Sequence, residues 1–116
     1  MDLRDYVQAW RARWRLEDEA LAGARARARE ALPLVVEALR RRGARQIWLI
    51  GSLADGTFRP QSDLDVMVAG LDEQSAWQAA GEAADRTGFA VDVVRAESLP
   101  EPWRRHHERF GERLDV

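Results

Sequence analysis

Hydrophobic and small residues recur along residues 2–42 at spacings that alternate between four and three. This stripe comprises Leu3, Val7, Trp10, Trp14, Leu21, Ala24, Ala28, Ala31 and Val35, with an interruption at Glu17. The spacing places these residues on one face of an α-helix, and most of the residues between them are helix formers. The pattern predicts either one long helix or two consecutive helices divided at Pro33, since proline removes an amide donor and disfavours helical geometry at Leu32.

Short apolar runs and helical segments alternate after Gly43. The runs predict strands over residues 46–50, 64–69 and 89–94, with a short helical turn from Gly51 to about Gly56. A helix is expected over residues 73–87, with Asp72 as its N-cap, Gly88 as its end, and Trp77, Ala80 and Ala84 facing the core. A last helix should begin at Pro100 or Pro102 and end near Phe110, followed by a loop or a short strand.

Composition limits the classes of protein to which the chain can belong. Its 116 residues suit one domain with a modest core, and no apolar run approaches the roughly 18 residues of a membrane span. No secretion signal is evident, which favours a cytoplasmic protein. The absence of cysteine excludes disulfides and thiolate metal sites.

Charge is distributed unevenly along the chain. Residues 1–50 carry eleven arginines against seven acidic residues, whereas residues 51–116 carry seven against thirteen. A pI near 5.7 disfavours nucleic-acid binding, because domains that bind nucleic acid usually have a high pI. The acidic half of the chain instead suits cations or a basic partner.

Three aspartates lie in or beside the predicted strands. Side chains alternate along a strand, so Asp63 and Asp65 share one face, while Leu64 and Val66 point to the other. Asp92 lies in the middle of the third apolar run, where an unpaired buried carboxylate would be costly. A divalent cation held jointly by these three aspartates would offset their repulsion, and Mg²⁺ suits an oxygen-only ligand set.

Gly51 and Ser52 follow the first strand and precede a helical turn. A glycine permits close backbone approach, and the free amides and hydroxyl at this position suit a phosphate group. A phosphate holder beside a carboxylate cluster predicts metal-assisted phosphoryl or nucleotidyl transfer, in which two metal ions stabilise the attacking and leaving oxygens.

Each of these features alone has a simpler interpretation. A Gly-Ser pair after a strand is commonly just a turn, and Asp-x-Asp at a strand start is often a solvated loop end. Asp92 alone could lie on an exposed edge strand. The three features in this order are much less readily explained by chance.

The segment from Gly51-Ser52 to Asp63-Leu64-Asp65, with Asp92 in a later strand, resembles the minimal nucleotidyltransferase (MNT) group of the DNA polymerase beta-like nucleotidyltransferase superfamily. The resemblance implies an α+β fold with a small mixed β-sheet and helices packed on one side. It implies that Gly51 and Ser52 bind the triphosphate of ATP or another NTP. It assigns Asp63 and Asp65 to nucleotide and metal binding, and Asp92 to metal binding and activation of the acceptor hydroxyl.

The same resemblance implies a partner and an acceptor. Members of this group often act as antitoxins that transfer AMP to a small all-helical HEPN toxin. A catalytically weak module that neutralises a helical partner by contact is the first alternative, and a small-molecule nucleotidyltransferase is the second. Asp55 favours the contact module, because the group usually has arginine at this position of the glycine loop.

The resemblance divides the chain into an N-terminal helical extension, residues 1–32, and a nucleotidyltransferase domain, residues 33–116. Trp10 and Trp14 lie one helical turn apart, which favours packing into the core. The alternative is a docking surface, because a helix longer than the core exposes its stripe unless a partner covers it. A homo-oligomer formed through this helix is a further expectation.

Overall fold

The computed structural model describes all of residues 1–116. Its elements in chain order are α1 (Leu3–Arg41), β1 (Gln46–Ile50), α2 (Gly51–Asp55), β2 (Leu64–Ala69), α3 (Glu73–Thr87), β3 (Val91–Arg95), a short 3-10 helix (Ala96–Ser98), α4 (Glu101–Phe110) and β4 (Glu112–Arg113). The predicted bounds of β1, β2 and α3 are confirmed. The third strand begins at Val91 instead of Phe89, because the Phe89 amide still donates to the Thr87 hydroxyl beyond the end of α3.

The four strands form a mixed sheet in the order β3-β2-β1-β4. The pairs β1–β2 and β1–β4 are antiparallel, whereas β2 and β3 are parallel. Side-chain alternation directs Leu64, Val66 and Val68 of β2 into the main core with residues of α1 and α3. The other face carries a smaller cluster of Trp48, Ile50, Met67 and Ala96. The predicted α+β class and mixed sheet are therefore confirmed.

The N-terminal helix runs without a break through Pro33, so the prediction of one long helix is confirmed and the alternative division at Pro33 is wrong. Ala24, Ala28 and Ala31 on its N-terminal side are buried in the same core as Val35 on its C-terminal side. This packing holds the helix together across the proline, whose missing amide costs only one intrahelical hydrogen bond. The domain boundary predicted at residues 32 and 33 thus falls inside one helix.

The inward face of α3 differs from the predicted one. The buried residues are Ala76, Ala79 and Ala83, whereas the Trp77 side chain is 80% exposed. The two stripes are one position apart on the helix, so the small alanines pack against α1 and the sheet while the indole points away from this contact. The caps were predicted correctly, since Asp72 accepts from the Ser75 amide at 2.7 Å and Gly88 ends the helix with φ +77°.

Residues 1–20, which include the first 18 residues of α1, are exposed. Trp10 is 41% and Trp14 57% exposed, so their predicted packing into the core is wrong. Their rings contact each other edge to face with centroids 5.5 Å apart. The stripe continues the buried face of α1, but the sheet and α3 are too short to cover its N-terminal half. None of the helices, α1 included, contains an apolar segment long enough to cross a membrane.

Substitution of Pro33 tests whether the proline inside α1 lowers the stability of the protein. We expect Pro33→Ala to raise the free energy of unfolding by about 1–2 kcal/mol, because alanine restores the hydrogen bond to the preceding turn. Pro102→Ala is the matched control, since Pro102 lies in the first turn of α4, where its amide would have no helical partner. Urea denaturation measures both. A Pro33→Ala protein no more stable than wild type would contradict this interpretation.

Candidate active site

Three neighbouring strands place two of the predicted carboxylates side by side. Ile50 at the end of β1 pairs with Asp65 of β2, and Asp65 pairs with Asp92 of β3. Adjacent strands lie about 4.8 Å apart, and side chains in register share a face. Asp63 lies two residues before Asp65, just ahead of β2. The structure therefore brings all three predicted aspartates to one end of the sheet, on the face opposite the main core.

These carboxylates repel one another. The pKa of Asp65 is raised above its ordinary value of 3.8, first by its partial burial and then by the charges of Asp92 and Asp63. Asp65 is half-buried, whereas Asp63 and Asp92 are exposed. None of the ion pairs in the chain involves these aspartates. The cluster therefore carries negative charge without a basic partner.

The donor set fits a hard divalent cation. Aspartate oxygens are the ligands that Mg²⁺ prefers, and the cluster has no arginine that would compete with a cation. The side chains do not converge into a ready-made group of three metal ligands. Mutual repulsion favours such separation when no cation lies between carboxylates. Asp63, Asp65 and Asp92 thus remain the predicted metal ligands.

The glycine that opens α2 lies directly against Asp65. Gly51 has φ +73°, and a Cβ at this position would lie 3.1 Å from both Cβ and Cγ of Asp65 and closer still to its Oδ2. Only glycine combines that backbone conformation with so close an approach. Ser52 follows it and is half-buried. The predicted phosphate-binding pair and the carboxylates are therefore adjacent.

Asp55, where the resemblance implies arginine, has a local role. Its Oδ1 accepts from the Thr57 amide at 2.9 Å and also from the Thr57 hydroxyl. These hydrogen bonds stabilise the turn by which the chain leaves α2, an arrangement common for aspartate in turns. Gly56 completes that turn in the left-handed region with φ +85°. The aspartate is thus accounted for by the shape of the loop.

Two residues that hold this loop were not predicted from the sequence. Phe58 is fully buried in the main core, and its ring packs near that of Phe89, with the two ring centroids 6.4 Å apart. The Nε of Arg25 on α1 donates to the Phe58 carbonyl at 3.1 Å. Together they fix the segment between α2 and β2 that leads to Asp63. A lone aromatic residue in a polar loop was the only sequence signal for this anchor.

Two glycines with similar positive φ angles, Gly51 and Gly56, test the close approach at Gly51. We expect Gly51→Ala to lower the free energy of unfolding by about 3 kcal/mol, since the methyl group meets Asp65 and the backbone is strained. Gly56→Ala should cost only about 1 kcal/mol, because φ is also positive there but nothing lies within 4 Å of the added Cβ. Chemical denaturation compares the two. Equal losses would show that the contact with Asp65 is unimportant.

Solved structures resemble this one over most of its length. A protein described as a minimal nucleotidyltransferase matches with a TM-score of 0.67 and 27% identity, covering 75% of this chain and 92% of that chain. A toxin-antitoxin structure with AMP-PNP matches with a TM-score of 0.63 and 26% identity, covering 70% and 69% of the two chains.

A complex of a tri-AMPylated Shewanella oneidensis HEPN toxin with an MNT antitoxin matches with a TM-score of 0.57, covering 73% of this chain and 69% of that chain. At 21% identity, this likeness is evidence of the fold alone.

No curated protein gives a significant sequence match. Residues 35–114 match the family described as polymerase beta, nucleotidyltransferase. This segment includes the glycine loop, all three aspartates and every strand of the sheet. The chain therefore belongs to the polymerase beta nucleotidyltransferase family.

Proposed function

We propose that the protein is a Mg²⁺-dependent nucleotidyltransferase that moves a nucleoside monophosphate, AMP in the simplest case, from an NTP to a hydroxyl group of a protein partner. The observation that carries this proposal is the row formed by Asp65 and Asp92 beside Gly51. The row places uncompensated carboxylates directly against the glycine that begins α2, where backbone amides at the start of a helix suit a phosphate group. Family membership supports the same reaction class.

Each residue of the site has a role in this proposal. Asp63 and Asp65 would hold the metal, and Asp92 would contribute a third carboxylate to metal binding. When bound, Mg²⁺ neutralises the charge of the triphosphate and of the pyrophosphate that leaves. Gly51 and Ser52 would hold the triphosphate through backbone amides and the serine hydroxyl. Positioning and charge neutralisation by these groups supply most of the rate in phosphoryl transfer.

Asp92 would act as the base for the acceptor. Its carboxylate takes the proton of the acceptor hydroxyl as the hydroxyl oxygen bonds to the α-phosphorus. The bond between the α-phosphorus and the bridging oxygen breaks at the same time, and pyrophosphate leaves. Asp92 suits this role because it is exposed and lies on the outermost strand of the cluster.

A toxin–antitoxin pairing is the most direct biological setting for this reaction. The similarity to the toxin-antitoxin structure with AMP-PNP supports both an adenine nucleotide and a protein partner. We infer that the partner is a small all-helical HEPN-type protein and that the acceptor is one of its hydroxyl groups. The protein would then silence its partner by covalent modification.

The exposed stripe of α1 supports a second candidate function, neutralisation of the partner by contact alone. Tyr6, Trp10 and Trp14 form a ladder of exposed rings, with centroid distances of 6.1 and 5.5 Å. Exposed apolar surface of this kind is typical of docking sites. The same stripe could instead join two copies of the chain. Contact and catalysis are compatible, since docking would also raise the local concentration of the acceptor.

Labelled nucleotide tests the proposed reaction. ATP labelled at its α-phosphate is incubated with Mg²⁺, the protein and a co-purified or genetically adjacent helical HEPN partner. We expect wild type to transfer label to the partner and Asp65→Asn to transfer it roughly a hundredfold more slowly or worse. Glu19→Gln, a matched change on the face of α1 opposite the exposed aromatic stripe, should leave the rate unchanged.

The partner's toxicity distinguishes the two candidate functions. If wild type and Asp65→Asn neutralise the partner equally well and neither transfers label, the enzyme proposal is contradicted and the contact module is favoured. If Asp65→Asn loses both label transfer and neutralisation while still binding the partner, modification is the means of neutralisation.

A further inference from the structure

The strand that carries Asp92 lies at an open edge of the sheet. The strand order β3-β2-β1-β4 leaves β3 with a single neighbour, β2. The candidate base for the acceptor hydroxyl is therefore on the outermost strand. An acceptor can approach it from the side that no other strand covers.

The backbone of β3 presents free hydrogen-bonding groups on that side. The Leu64 amide of β2 donates to the Ala90 carbonyl at 2.8 Å, so the backbone groups of Ala90 point towards β2. Alternate residues of a strand direct these groups to opposite sides, so Asp92 also faces β2, whereas Val91 and Val93 face outward. An unpaired edge of this kind is a template for another strand.

A groove of about 1240 Å³ runs between α3 and this edge. Its helical wall contains the small residues Ala80, Gly81 and Ala84. A Cβ added to Gly81 would meet nothing within 4 Å, so the groove has room for side chains from outside. The exposed indole of Trp77 also lines it and offers an apolar surface.

The groove has a net acidic character. Two of its arginines are paired with glutamates, Arg42 with Glu82 at 3.6 Å and Arg86 with Glu37 at 3.3 Å. Glu73 and Asp85 also line the groove, and no ion pair of the chain involves them. The lining also contains Asp92 and Arg95, whose Nε donates to the Leu71 carbonyl at 2.7 Å, so the groove has four carboxylates against three arginines. Basic side chains in an incoming segment would complement the carboxylates.

We propose that an extended segment of the acceptor protein binds along the open edge of β3 as an added strand, with basic residues flanking the residue that is modified. This inference rests on the nucleotidyltransferase function proposed above and identifies its acceptor site. In antiparallel pairing, the residue opposite Asp92 forms a non-hydrogen-bonded pair with it, with Cα atoms about 4.5 Å apart. Its side chain lies on the same face as Asp65 and Asp92, which places its hydroxyl beside the base.

Synthetic peptides test this binding mode. Each has one central tyrosine, serine or threonine between alternating valine and arginine residues, and a phenylalanine peptide serves as the control that binds without reacting. We expect peptide binding to slow hydrogen exchange of the outward-facing amides of Val91 and Val93, and the hydroxyl peptides to accept label from ATP.

A proline at Val93 removes one outward donor without touching the hydrogen bonds to β2, because edge strands tolerate proline where the amide faces solvent. Val93→Ala is the matched control, since it loses the same side-chain packing but keeps the amide. We expect Val93→Pro to transfer label to the peptides at least about tenfold more slowly than Val93→Ala, as the loss of one or two backbone hydrogen bonds implies. Binding of Mg²⁺ and ATP should differ less than about twofold between the two variants.

A second test leaves the protein unchanged and instead N-methylates the peptide residues whose amides point towards β3. These peptides should bind more weakly than the unmethylated ones. Equal transfer by Val93→Pro and Val93→Ala, with no effect of N-methylation, would overturn the inference while leaving the proposed function intact. Protection of the β3 amides by peptide with no transfer of label would support the edge as a binding site and contradict the proposed function. If the peptides neither protect the β3 amides nor accept label, the inference is overturned.

Discussion

The register of three strands is the constraint on which both the core and the site depend. Ile50, Asp65 and Asp92 lie in one row across β1, β2 and β3. In the same register, Leu64 and Val66 enter the core beneath α1 and α3, while the carboxylate of Asp65 points to the opposite face. A slip of one residue would turn the carboxylates into the apolar core, at a cost of several kcal/mol for each buried charge. Burial of the apolar residues thus fixes the position of the aspartates.

The site adds local costs that the rest of the fold offsets. Asp65 is half-buried among negative charges, and Gly51 adopts a left-handed conformation against it. The loop between them is held at Phe58, whose side chain is buried in the core and whose carbonyl accepts a hydrogen bond from Arg25 of α1. The N-terminal helix therefore contributes to the site although the family match begins at residue 35. Repulsion between charges at one point of a well-packed framework is common at functional sites.

Local patterns in the sequence predicted much of this arrangement. Short apolar runs identified β1 and β2, Asp72 and Gly88 marked the ends of α3, and the order of Gly51, Asp63, Asp65 and Asp92 indicated the site. Features that depend on contacts between distant residues could not be predicted in the same way. Whether Pro33 breaks α1 depends on packing on both sides of it. On α3, two faces one residue apart both contain alanines, so the sequence did not show which of them is buried. The hydrogen bond of Arg25 to Phe58 joins residues 33 positions apart, and no local pattern announces it.

If the three aspartates repel one another until a divalent cation binds, the repulsion should be measurable in the free energy of unfolding of wild type and of Asp65→Asn. Because the folded protein holds the Asp65 proton more tightly than the unfolded chain, the contribution of Asp65 to wild-type stability should fall as the pH rises from below 3.8 through its raised pKa. Asp65→Asn lacks this loss. Its free energy of unfolding should therefore exceed that of wild type by little at about pH 3 and by more at about pH 7. Mg²⁺ at neutral pH should stabilise wild type more than the variant. Parallel pH profiles with no differential effect of Mg²⁺ would show that the aspartates neither repel one another nor bind the cation.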